Sequence, residues 1–292
     1  MFIRDLLSQG TPSFSFEFSP HKTDEAFDNL MGTIAELQKL QPTFVSVTYG
    51  QNGSTRRRTV DVVTKAKDDL GLTSMAHLTC VGSTEEDLRG VLDELKAKDI
   101  QNVLPLRGDP PASTETFEKT PGGFGNANEL VAFIRENYDF CLGVAGYPEG
   151  HQEADDFDTD VAYLKSKVDA GADFVITQMF FDNKFYFDFV EKAVAACINV
   201  PIIPGIMPVL NVEQIKRFTK MCGATIPDDL VEKLEAVQDD VDAVRKCGVE
   251  HAAKQCKELL ERGAPGIHFY TLNRSASTRD IMENLKSVSA QA

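Results

Sequence analysis

The stretch SFSFEFSP (13–20) alternates strictly: Phe14, Phe16 and Phe18 share one parity, and Ser13, Ser15, Glu17 and Ser19 share the other. A strand sends alternate side chains to opposite faces, so this is a greasy face backed by a small polar one. A carboxylate, Glu17, stands on the polar side just before Pro20 ends the pattern. Seven further strand-like segments follow: TFVSVTYG (43–50), SMAHLTC (74–80), NVLPLRGD (102–109), CLGVAGYPE (141–149), DFVITQMFF (173–181), PIIPGIMP (201–208) and IHFYTLNR (267–274). Between them lie amphipathic stretches such as DEAFDNLMGTIAELQKL and TEEDLRGVLDELKAKD, apolar at helical spacing and acidic at the start. Repeated alternation of strand and helix predicts a parallel sheet with helical crossovers. A count of eight predicts closure, so the expected fold is α/β, an eight-stranded (β/α)8 TIM-type barrel. Residues 211–263 are too many for one crossover, which places extra helices before the last strand. An open doubly wound sheet is the architectural alternative. No linker or low-complexity tract divides the chain, so residues 1–292 read as a single domain.

Composition acts by exclusion. A formal charge of −15 argues against sequence-independent binding to nucleic acid or to an anionic membrane. No apolar run approaches a membrane span, and MFIRDLLSQG lacks the features of a signal peptide, so a soluble cytoplasmic protein is expected. The six cysteines (80, 141, 197, 222, 247 and 256) are scattered and read as buried thiols.

The strand ends carry Glu17, Thr48, His77, Arg107, Asp109, Tyr147, Glu149, Gln178, Asn273 and Arg274. In a closed barrel these ends form the catalytic face, so Glu17 is expected to point into the mouth. GGFGNA (122–127) lacks the strand–turn–helix context of a nucleotide motif, and there is no phosphate loop. His77, Asp109, Glu149 and His151 have no characteristic ligand spacing, so no metal is expected. None of the eight segments holds a lysine for Schiff-base chemistry. What is left is an acid, Glu17, a second carboxylate beside an arginine, and many hydrogen-bonding groups. Such a site suits an organic cofactor that does the hard chemistry itself.

Eight motifs in order, FEFSPHKT, VTYG, HLTC, LRGDPP, GYPEGH, LKSKVDAGADFVITQMFFD, IPGIMPV and HFYTLNR, together resemble the methylenetetrahydrofolate reductase family, from about residue 14 to the last helix. The resemblance implies FAD lying across the strand ends. It also implies one site used in turn by NADH or NADPH and by 5,10-methylenetetrahydrofolate, with 5-methyltetrahydrofolate as product. By position, Glu17 matches the family's general acid, which protonates the nitrogen that leaves when the one-carbon bridge opens. A carboxyl partly desolvated by Phe16, Phe18 and Pro20 would keep its proton near neutral pH. From the residues alone, a carboxylate capping the next helix is an equal reading. Asp109 matches the group between flavin and pterin, where a carboxylate suits the amino-pyrimidine edge; a cap or turn residue before Pro110 is the bland alternative. Gln178, Gln214, Phe218, Tyr270 and Arg274 match further substrate positions. For FAD, the matching positions are Thr48, Tyr49, His77, Arg107, Gly108, Asp109, Tyr147, His151, Asp160 and Lys167. Ala127 matches a backbone contact, and Gln51, Ala154, Tyr163 and Ser166 align with more weakly constrained positions. Asp160 and Lys167, seven apart on one helix, share a face that would reach ribose and diphosphate.

Three departures stand out. Ser19 and His21 replace an aromatic and a proline of the family's FEFFPPKT, and Asn126 stands where the family often has Tyr. The chain also ends soon after HFYTLNR, so a regulatory domain is not expected. Small molecules are the expected partners and a homo-oligomer the expected assembly. The competing readings are another FAD barrel, such as a proline-dehydrogenase relative, and a non-catalytic flavin- or folate-binding paralogue.

Overall fold

In the computed structural model, which describes residues 1–49, 53–109 and 117–289, the first alternating stretch forms β1 (Ser13–Phe18). Phe16 and Phe18 turn outward and are buried with the apolar face of α2 (Asp24–Gln38), represented by Leu30, Ile34 and Leu37. Ser13 and Ser15 are buried on the other side. The remaining strands are β2 (Phe44–Val47), β3 (Ser74–Thr79), β4 (Asn102–Leu106), β5 (Cys141–Gly146), β6 (Phe174–Thr177), β7 (Ile202–Ile203), β8 (Gly205–Ile206) and β9 (Gly266–Tyr270). Each pairing is parallel, in the order β7-β6-β5-β4-β3-β2-β1-β9-β8.

The sheet has nine strands among the described residues, not eight. The extra strand comes from PIIPGIMP, which breaks at Pro204 because proline has no N–H for the ladder. Ile202 and Ile203 pair with β6, whereas Gly205 and Ile206 pair with β9. The carbonyl of Pro204 accepts from His268 N at 2.9 Å. Residues 202–206 therefore touch both ends of the strand order, and the barrel-like sheet is nearly closed.

Helices α3 (Gly53–Asp68), α4 (Glu85–Ala97), α5 (Ala127–Asn137), α6 (Phe157–Asp169) and α7 (Asn183–Ala195) follow β2 to β6 in turn, and α11 (Ala276–Ser289) follows β9. Side-chain caps start several of them: Thr84 and Asp87 form a capping box on α4, and Asn126 and Asp156 cap α5 and α6. As expected, extra helices precede the last strand: α8 (Val212–Cys222), α9 (Asp228–Glu235) and α10 (Val241–Glu261). Among the described residues no helix is long and apolar enough to cross a membrane.

The barrel interior is filled from below by Phe44, Met75, Leu104, Cys141 and Phe174. Gly143 makes room for this: a Cβ there would lie 2.8 Å from the Phe174 ring. A short helix that the pattern did not reveal, α1 (Ile3–Leu7), plugs the bottom. Ile3 is fully buried in this cluster and its N–H donates to Asn102 Oδ1 at 2.8 Å. Asn102 Nδ2 in turn donates to the carbonyls of Met1 and Ser74, both at 3.1 Å. Ile3→Ala should therefore open a cavity under the barrel and lower unfolding free energy by about 2 to 5 kcal/mol, read as a lower denaturant midpoint at unchanged slope. An unchanged midpoint would mean that α1 does not plug the barrel.

Candidate active site

The two-residue strand period carries the inward stripe to the mouth. Glu17 from β1, His77 and Thr79 from β3, and Tyr270 from β9 line a cavity of about 470 Å³. Thr48, Tyr49, Arg107, Gly108, Asp109, Tyr147, His151 and Gln178 reach the same cavity from the segments that follow β2, β4, β5 and β6, and Phe218 reaches it from α8. A second cavity of about 350 Å³ shares Arg107, Tyr147 and His151 with the first. Ala127, Ala154, Asp160, Tyr163 and Lys167 line it, and so does Asn126. Three expected site residues line neither cavity. Ser166 bonds Asn128 and the Tyr163 carbonyl, Gln214 sits in the first turn of α8 capped by Asn211, and Arg274 is exposed. Gln51 lies outside the described residues.

Glu17 faces the mouth as expected, but its surroundings differ from those the sequence suggested. Phe16 and Phe18 share the opposite parity and pack outside the barrel, so they do not desolvate its carboxyl. Two imidazoles flank it instead: His77 Nε2 at 3.5 Å and His268 Nε2 at 3.4 Å from Glu17 Oε2. Burial pushes the Glu17 pKa up, but the charge of His77 and the hydrogen bond and charge of His268 outweigh it and hold the carboxyl below its usual value. Burial is also the main influence on His77, whose pKa is lowered despite the neighbouring carboxylate. Behind Glu17, the fully buried His268 ring meets Ser15 Oγ through Nδ1 at 2.8 Å and stacks on Phe44 at 6.0 Å. His268 and Ser15 were not expected as site residues. The signal was present: His268 shares the parity of Tyr270, and Ser15 that of Glu17.

Around the carboxyl, the Gln178 Oε1 accepts from Met179 N at 2.9 Å, leaving its NH₂ without a partner among the described residues. The Tyr270 hydroxyl donates to the Thr177 carbonyl at 2.7 Å. Arg107 forms a two-pronged pair with Glu153 and lies over the Phe117 ring at 5.0 Å. In the second cavity, burial pulls the Lys167 amine down to about 8 and, as the largest influence, pushes the Asp160 carboxyl up; each partly offsets the other's shift. Lys167 Nζ donates to the Ala145 carbonyl at 2.5 Å. Burial, reinforced by Asp160 and Asp109, pushes the Tyr147 phenol up to about 12.

The cavities suit a large polar guest. Thr79 Oγ1 is buried on the first cavity's wall with no hydrogen-bond partner among the described residues, and His77 Nε2 there has only the Glu17 carboxyl at 3.5 Å. Gly108 brings bare backbone to the same wall: φ is +86°, and a Cβ would lie 2.5 Å from Val81 Cγ1. The second cavity holds a buried amine that can donate to phosphate and, electrostatically coupled to it, a carboxyl that can accept from ribose hydroxyls.

Comparison with known proteins is consistent with this geometry. Residues 2–286 match the profile of the family described as methylenetetrahydrofolate reductase. The chain is 39% identical over 294 residues to methylenetetrahydrofolate reductase (NADH) 1 of Arabidopsis thaliana, covering 97% of this chain and 50% of that one. It is likewise 39% identical over 277 residues to 5,10-methylenetetrahydrofolate reductase of Escherichia coli, covering 95% of this chain and 92% of that one. The chain thus spans about half the length of the plant relative and nearly all of the bacterial one. A solved structure of a Clostridium thermocellum protein, described as binding two copies of 5-methyl-5,6,7,8-tetrahydrofolic acid, shares the fold. Its TM-score is 0.70 at 18% identity, with complete coverage of both chains. On the family match and these identities, the chain belongs to the methylenetetrahydrofolate reductase family.

Proposed function

We propose that this chain reduces 5,10-methylenetetrahydrofolate to 5-methyltetrahydrofolate with electrons from NADH or NADPH, and that residues 1–292 act as one FAD-binding catalytic unit. The observation that carries this reading is a carboxyl group, Glu17, set between two imidazoles on the wall of a cavity that also holds Asp109, Gln178 and Phe218. FAD, when bound, supplies the redox ring through which two substrates use one site in turn. Asp160, Lys167, Tyr147 and Arg107 would hold its polar tail, with Ala127, Ala154 and Tyr163 around it and Ser166 supporting from behind. Thr48, Tyr49, His77, Gly108 and His151 would face its ring system.

Glu17 gives a proton to the nitrogen that leaves as the one-carbon bridge opens. With its pKa held down, Glu17 is a poor store for that proton but a good conduit. His268 stands 3.4 Å behind it and is tied to Ser15, so an imidazole can resupply the carboxyl. Asp109 accepts paired hydrogen bonds from the amino-pyrimidine edge of the pterin. Gln178 offers its NH₂ to either substrate, and Phe218 and Tyr270 supply flat surfaces. Arg274 and Gln214, both outside the cavity, would meet only the outer part of a long folate.

Removing the acid separates the two half-reactions. Glu17→Gln should slow folate-dependent reoxidation by about a hundredfold or more while leaving flavin reduction by nicotinamide near the wild-type rate, measured by anaerobic rapid mixing. Equal losses in both would make Glu17 a structural residue.

Lys167 yields a pH prediction with a definite sign. Its ammonium is charged below about 8, so the apoprotein's affinity for FAD should fall as pH rises through that value. The slope should be at most about tenfold per pH unit, since one proton is linked. Lys167→Met should flatten it, as followed by flavin fluorescence quenching. The same slope in the variant would assign the linkage elsewhere.

A further inference from the structure

The chain leaves β9 through two residues in the left-handed region, Leu272 (φ +52°) and Asn273 (φ +57°). Asn tolerates this conformation but Leu does so only under strain, which the surrounding structure must hold. The turn lays the Asn273 amide against the end of β1. Its Oδ1 accepts from Ser19 N and its Nδ2 donates to Ser19 O, each at 2.8 Å. A backbone N–H can only donate and a carbonyl can only accept, so these two bonds fix the amide's orientation. The other amide hydrogen then faces His21 Nε2 at 2.9 Å. That nitrogen must be the unprotonated acceptor, with the ring's hydrogen on Nδ1.

Neighbouring bonds extend the clamp. Thr271 Oγ1 donates to the Glu17 carbonyl at 2.6 Å and accepts from Asn273 N at 3.2 Å. Thr48 N donates to the Phe18 carbonyl at 2.9 Å, and Thr48 Oγ1 donates to Ser19 Oγ at 3.1 Å. The backbone from Glu17 to Ser19 is thus pinned from β9 on one side and β2 on the other, while Pro20 has no N–H to add.

We infer that Asn273 is a positioning residue for the Glu17 carboxyl, acting through the Ser19 peptide, and that neutral His21 completes the clamp. Ser19 and His21 are two of the positions where this chain departs from the family motif. The catalytic consequence rests on the reductase reading; the geometry does not. Protonating His21 would set an N–H against the amide NH₂. Asn273 could not flip to relieve this without losing both bonds to Ser19. Of the charged groups around His21, Asp24 on α2 is engaged by Arg58 of α3, Lys22 adjoins it in sequence, and Arg274 beyond Asn273 is exposed.

The test is ¹⁵N NMR of histidine-labelled protein, whose five histidines are few enough to assign. His21 should appear as the Nδ1–H tautomer at alkaline pH. Asn273→Gly keeps the left-handed backbone and removes the amide. It should shift the imidazole ¹⁵N resonances of His77 and His268, the two rings within 3.5 Å of Glu17. In the same variant, folate-dependent reoxidation should fall about tenfold or more while nicotinamide-dependent flavin reduction is unchanged. His21→Gln, whose amide oxygen can take the same hydrogen bond from Asn273 Nδ2, should lose less of the folate step than His21→Leu, which has no acceptor. An Nε2–H tautomer at His21, or unchanged His77 and His268 resonances in Asn273→Gly, would overturn the inference. These spectra need no turnover, so an inactive wild type would refute the reductase reading and leave the clamp to be judged on the spectra.

Discussion

A carboxylate held inside a barrel, with no arginine or lysine paired to it among the described residues, is the constraint on which the rest depends. Glu17 keeps only 17% of its side-chain surface exposed, and its close partners are His77 and His268. An arginine or lysine in their place would hold the carboxylate permanently ionised. Imidazoles instead set a ring nitrogen within 3.5 Å of the carboxyl, through which a proton can pass. The geometry follows from strand parity. Glu17, His77 and His268 come from β1, β3 and β9, and each falls on the inward position that the two-residue period assigns. Burying such a group is costly unless it and its partners are fixed: Ser15 and Phe44 hold His268, and Thr271 holds the Glu17 backbone through its carbonyl.

The two cavities divide the chemistry. The first is walled by Glu17, Asp109 and Gln178, and by the Thr79 hydroxyl, which has no hydrogen-bond partner among the described residues. The second holds the buried Lys167–Asp160 pair, in which burial moves both groups toward neutrality. Arg107, engaged by Glu153, lines both and marks where a long ligand would cross from one to the other.

Much of this was legible in the residues because the periodicities were strong. SFSFEF ran unbroken to Pro20, and β1 ends as that pattern does. Longer apolar runs misled: DFVITQMFF contains only a four-residue strand, β6, because the chain turns out of the barrel after Thr177. Pro204 split one expected strand in two for want of an N–H. The Glu17 environment was misread by treating sequence neighbours as spatial ones, although parity already put Phe16 and Phe18 on the far face. Helix α1 carried no side-chain cap, and what orders it is tertiary: a buried Ile3 and the Asn102 bonds. Of the positions expected from family resemblance, those on strand ends lie in the cavity. Arg274 and Gln214, from the segments after β9 and β8, do not.

The most direct test is a two-step anaerobic titration of the purified protein loaded with FAD. NADH or NADPH should bleach the flavin absorbance and 5,10-methylenetetrahydrofolate should then restore it, with one 5-methyltetrahydrofolate formed per flavin reoxidised. A protein that bleaches but stays bleached in the presence of the folate would contradict the reductase reading.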